Sequence, residues 1–189
     1  METEIRYSGG IELRYVAGKP RLVGYAAVFN KDSMPMAGGA FVERIAPGAF
    51  KRSLKGDHDI RAFDGHDQSK PIGRESNGTL TLKEDEKGLR VEIIPPDTQV
   101  GRDIAENVRT GLLDGMSFGF TMEPEGVQWD FKVRPAVRHI KDVNLVEVSP
   151  VAIPAFPDTS VALRSMPKAG PTIAELKELL AAKTAGWRK

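Results

Sequence analysis

The chain has 189 residues, no cysteine, and 27 basic against 26 acidic side chains for a formal net charge of +1. That length suits one sizeable core with a tail. The missing thiols exclude disulfide scaffolding, thiolate catalysis and cysteine-ligated metals, and fit an intracellular life. Interspersed acids and bases leave no footprint for nucleic acid, and neither a leader-like start nor an apolar run of membrane-spanning length is found, so a soluble protein is expected.

Taken in order, residues 11–16 and 21–29 read as the arms of a hairpin turning at Gly18-Lys19-Pro20. Residues 47–54 suit a short helix with Pro47 in its first turn. A strand is expected over 60–66, then a hairpin whose arms are 79–82 and 89–93, joined through Asp85-Glu86-Lys87-Gly88. A helix capped by Asp97 carries Val100, Ile104 and Val108 at four-residue spacing and stops before Gly111. Residues 137–148 read as one long strand, after which Pro150, Pro154 and Pro157 break regular pairing. A main domain over 1–164 is therefore expected, followed over 165–189 by a linker and an amphipathic helix. In that helix Thr172 and Glu175 form a capping box and Ile173, Leu176, Leu179 and Leu180 share one side.

The segment Gly115-Met116-Ser117-Phe118-Gly119-Phe120-Thr121-Met122 sorts as a strand into two unlike faces. Met116, Phe118, Phe120 and Met122 seek a core, while Ser117 lies between Gly115 and Gly119 on the other face as an accessible hydroxyl. A serine nucleophile needs an imidazole to take its proton and a third group to hold that ring. Of His58, His66 and His139, His66 lies where an extended segment gives way to a turn, a common place for catalytic side chains. From the residues alone the plainer reading, a turn cap or a partner of Asp67, is the favoured one. For the third member, strand parity with Val143 and Leu145 pointing inward puts Asp142 on the face of Ser117 and makes it the first choice. A bulge near Ser149-Pro150 would reverse parity and favour Glu147. Arg74 and Arg138 read as surface ion-pair partners. Dispersed histidines and the lack of a His-Glu-x-x-His spacing leave no metal site, and no cofactor is expected.

Residues 63–74, 111–122 and 140–156, in that order, resemble the signature blocks of the tailed-bacteriophage (Caudovirus) prohead serine protease family, distantly similar to the herpesvirus assemblin proteases. The blocks Gly24-Tyr25-Ala26-Ala27-Val28-Phe29 and Glu43-Arg44-Ile45-Ala46-Pro47-Gly48-Ala49-Phe50 extend the likeness over most of 21–164. The resemblance implies a histidine at His66 and a nucleophile at Ser117. Where the herpesvirus enzymes carry a second histidine on the strand after the serine, this chain has Asp142-Val143-Asn144-Leu145, a carboxylate in its place. Their paired-arginine oxyanion segment corresponds to Glu147-Val148-Ser149-Pro150-Val151-Ala152. Proline has no N–H, which directs the search for a donor to the Val151 amide.

The implied fold is predominantly β, a closed herpesvirus-protease-like barrel of about seven strands with peripheral helices. The implied activity is endopeptidase cleavage of the major capsid or scaffold protein, and of the chain itself, inside the immature head in the host-cell cytoplasm. Substrate would pair with an exposed strand edge near Gly115 and Gly119. Dimerisation of the herpesvirus relatives makes a homodimer an expectation as well, without a legible interface. The competing reading is an assembly or scaffold component that keeps the fold without turnover.

Overall fold

The computed structural model describes residues 3–152 and 170–185. The expected domain end near Arg164 and the pairing breaks at Pro154 and Pro157 lie outside them. Twelve strands run in chain order: β1 (Glu4–Gly9), β2 (Ile11–Val16), β3 (Lys19–Val28), β4 (Phe41–Ile45), β5 (Arg61–Asp64), β6 (Asp67–Arg74), β7 (Leu80–Glu84), β8 (Gly88–Ile93), β9 (Gly115–Thr121), β10 (Val127–Asp130), β11 (Ala136–Ile140) and β12 (Asn144–Val151). Among the described residues two α-helices accompany them, α1 (Gln99–Arg109) and α2 (Ile173–Ala185).

The strands form three open sheets, in the orders β1-β9-β12-β5-β6, β10-β11-β4 and β2-β3-β8-β7. The chain is mostly β as expected, but the closed barrel of the sequence reading is not what forms. One cause lies in the run 137–148, expected as one strand. It is split between two sheets where Lys141 and Asp142 turn their amides to the Gly126 carbonyl, at 2.8 and 3.3 Å, and Val143 donates to the Ala49 carbonyl at 3.0 Å. Those amides are spent on loops, so the ladder of β11 cannot continue into β12.

The β2–β3 hairpin turns through Ala17 and Gly18, both at positive φ, which matches the right-handed twist of its arms. Residues 47–54 give turns and a single 3₁₀ turn over Ser53–Lys55 rather than a helix. α1 is capped one residue later than expected. Its cap is Thr98, whose hydroxyl accepts from the Gly101 amide at 3.3 Å, while Asp97 pairs with Arg102. The helix lays Ile104 and Val108 into a core shared with Leu22, Leu89, Phe50, Phe118, Phe120 and Leu145. Phe118 meets Phe50 edge-on at 5.4 Å and stacks with Phe120 at 5.2 Å. Full burial of each ring contributes about 1.5–3 kcal/mol.

A second, smaller cluster gathers Met36, Ala40, Phe41 and Ala136, and α2 docks on it through the fully buried Leu176. The capping box expected at its start forms: the Glu175 carboxylate accepts from the Thr172 amide at 2.6 Å, and the Thr172 hydroxyl accepts from the Glu175 amide at 3.2 Å. No helix among the described residues is long and apolar enough to cross a membrane.

Candidate active site

β9, β12 and β5 are neighbours in the five-stranded sheet, and they carry Ser117, Glu147 and the turn that presents His66. The turn is a two-residue hairpin. Asp64 pairs with Asp67, and between them Gly65 and His66 adopt φ of 58° and 68°. Left-handed backbone is uncommon for histidine, so something outside the turn must hold it there. Three contacts do so: the Gly65 amide donates to the Pro150 carbonyl at 3.3 Å, the His66 amide to the Ser149 hydroxyl at 3.1 Å, and His66 Nδ1 bonds Glu147 Oε1 at 2.7 Å.

Glu147 reaches the ring because β12 contains a bulge. Leu145 faces Phe120 and Glu147 faces Gly119, so Val146 is surplus to the ladder and bows outward, 43% exposed. Before the bulge Val143 and Leu145 point into the core. After it Val148 does, which sends Glu147 and Ser149 to the face of Ser117. The parity reversal weighed for Ser149-Pro150 thus occurs three residues earlier. Its cause is tertiary, because the Leu145 amide is claimed by the Ser53 hydroxyl at 2.7 Å.

Asp142 lies ahead of β12, half exposed, and accepts from Arg52 Nε at 2.7 Å, while Asn144 takes the same guanidinium at 2.7 Å. The structure therefore brings Glu147 to His66, and leaves Asp142 with Arg52. Arg138, expected as a surface partner, is fully buried among carboxylates. Arg74 remains a surface pair, with Asp59.

Ser149, which sequence reasoning passed over, completes the cluster. Its hydroxyl donates to Glu147 Oε2 at 2.6 Å, so both carboxylate oxygens are committed, one to the ring and one to the serine. The available signal was the Glu-x-Ser spacing, which puts both side chains on one face of a strand. Ser149 is also the direct cross-strand partner of Ser117.

The expected accessible hydroxyl is not found. Ser117 is 0% exposed, and its Oγ donates to the Arg6 carbonyl at 2.9 Å. Its glycine neighbours are covered. The Tyr7 ring lies over Gly115, where an added Cβ would come within 2.2 Å, and the Glu147 carboxylate lies over Gly119 at 2.6 Å. β9 has β1 on one side and β12 on the other, so the strand edge expected to receive substrate is already paired. Val151 ends β12 opposite Gly115. His66 Nε2, by contrast, is buried and has no hydrogen-bond partner among the described residues.

A histidine held at Nδ1 by a carboxylate, with Nε2 without a partner among the described residues, is chemically able to take a proton from a hydroxyl brought to that nitrogen. The chain matches the model of the Caudovirus prohead serine protease family over residues 11–170. It belongs to that family. Membership makes the protein a serine peptidase that acts in maturation of the phage prohead. No curated protein and no solved structure matches the chain, and the herpesvirus likeness has no counterpart among these findings. Among the described residues no group of three or more candidate ligands could hold a metal ion.

Proposed function

We propose that Ser117 is the nucleophile, His66 the general base and acid, and Glu147 the group that fixes the imidazole, in an endopeptidase that cleaves capsid or scaffold polypeptide and its own tail within the immature head. The observation that carries this reading is the 2.7 Å bond between His66 Nδ1 and Glu147, made while Nε2 stays unpartnered. Glu147 sets the tautomer by accepting from Nδ1, which leaves the Nε2 lone pair to accept from Ser117.

In the reaction the Ser117 hydroxyl turns from the Arg6 carbonyl to Nε2 and gives up its proton as Oγ attacks the scissile carbonyl. The imidazolium, paired with Glu147, then protonates the departing amine. Water hydrolyses the acyl-enzyme by the same route, with His66 again taking and returning a proton. Ser149 holds the carboxylate in place throughout. For the oxyanion we retain the Val151 amide as donor, since Pro150 has none. Gly119 makes room for the Glu147 carboxylate, and Gly115 offers a low floor beside Ser117 to a peptide backbone once the Tyr7 ring has left it.

The silent assembly component is the second reading, and the complete burial of Ser117 is the observation in its favour. Mass spectrometry of the protein incubated with its shell subunit separates the two. Cleavage products that disappear in Ser117→Ala and His66→Ala support the protease. An unchanged product pattern in Ser117→Ala refutes catalysis by that residue.

A further inference from the structure

The N-terminal strand β1 lies where an extended substrate would lie. It pairs antiparallel with β9 along its whole length, with Tyr7 opposite Ser117 and Gly9 opposite Gly115. Its Arg6 carbonyl holds the Ser117 hydroxyl that the reaction needs at His66, and its Tyr7 ring fills the space above Gly115. The stretch matched by the prohead protease family begins only at residue 11, beyond this strand. Between the two sits Gly10 alone, at φ 93°, where the chain turns from β1 into β2.

The strand is fastened by charge, in a way that lets it leave. Arg6 bonds Glu4 at 2.5 Å within the strand and Glu43 on β4, while Arg138 on β11 bonds Glu43 at 2.5 Å and Glu4 at 2.9 Å. All four groups are buried. β1 contributes one acid and one base, and the body contributes the same. Removing β1 therefore withdraws a neutral pair and leaves Glu43 with Arg138, and no single buried charge is stranded on either side.

We propose that residues 4–9 are an autoinhibitory strand that occupies the substrate edge of β9 and keeps the Ser117 proton from His66 until an extended polypeptide displaces it. This rests on the assignment of Ser117 as nucleophile. Edge pairing supplies the affinity of such a ligand and alternate side chains its selectivity, so the floor formed by Gly115 is the subsite that Tyr7 holds and a substrate side chain would take over.

The test uses the full chain and a serine-directed phosphonate. A strand that is out for only about 0.1–10% of the time slows reaction at Ser117 by the same fraction, so loosening it accelerates labelling about tenfold or more. The double variant Glu4→Gln/Arg6→Gln removes the neutral pair, and Tyr7→Ala vacates the subsite without touching the buried charges. Faster labelling of either folded variant, reversed by a synthetic peptide of residues 3–10, is the expected result. Labelling at the parental rate in both folded variants overturns the inhibitory strand, while the labelling itself keeps the protease assignment. Absence of Ser117 labelling in parent and variants alike overturns the nucleophile assignment, and the strand proposal with it.

Discussion

Two buried polar clusters flank β9, and they are built from different bases. On the β12 side Glu147 is shared by His66 and Ser149; on the β1 side Glu4 and Glu43 are shared by Arg6 and Arg138 on the opposite face of the sheet. In the second cluster every carboxylate oxygen accepts from a guanidinium, a group that does not give up its proton in proteins. It can only hold. In the first, the base is an imidazole, whose Nε2 has no hydrogen-bond partner among the described residues. The same acid thus makes a clasp beside arginine, and beside histidine it leaves a ring nitrogen free to take part in the proposed proton transfer.

Replacing the acid on each side should separate these roles. Glu147→Gln keeps the shape and removes the charge that supports the imidazolium, so the rate of processing should fall about 10³–10⁴-fold with the melting temperature little changed, measured by substrate cleavage beside thermal unfolding. Equal activity in this variant would remove the distinction between the clusters. Arg138→Ala should do the reverse. It leaves the two glutamates with one base, and urea unfolding should report a loss of about 3–5 kcal/mol.

Acid should reach the clasp in a defined order. Burial by itself favours the protonated form of Glu43, but the hydrogen bonds and charges of Arg6, followed by those of Arg138, outweigh it and hold this carboxyl below its ordinary value. A depressed acid stabilises the fold fully above the unfolded value, about 4.3 for glutamate, and that contribution is lost as pH falls through the lower folded value. Stability should therefore hold from neutral pH to about pH 5 and decline below about pH 4, with a shallower decline in Glu43→Gln, followed by unfolding at each pH. The smallest effect is expected at Asp142, whose partner is the half-exposed Arg52. Asp142→Asn should cost about 0–1 kcal/mol of stability and leave cleavage within about twofold of the parent.

Much of the first cluster could be seen in the sequence, and little of the second. The alternation around Ser117 identifies the strand and its core face, and Gly65-His66 marks the turn, because both signals are local. The acid could not be fixed because the bulge at Val146 answers to Ser53, ninety-two positions from Leu145 in the chain, and strict alternation from Leu145 without it puts Glu147 on the core face. β1 carried no strand signal strong enough to stand alone. Its pattern of Glu4, Ile5, Arg6 and Tyr7 sends charged side chains inward, which makes sense only with Glu43 and Arg138 waiting there. The barrel expectation failed for a similar reason: nothing near residues 141–143 announces that Gly126 and Ala49 will take their amides.

Val146 has a consequence beyond supplying the right acid. Side chains on a strand alternate like two letters of a code, and one surplus residue shifts the reading frame of everything downstream. Were Val146 taken into a regular ladder, no functional group would change, yet Glu147 and Ser149 would turn toward the oily interior and Val148 toward the serine; deleting Val146 would instead leave Leu145 facing Phe120 and Glu147 facing Gly119. Which carboxylate meets His66 is thus written in the spacing of the chain as much as in its chemistry.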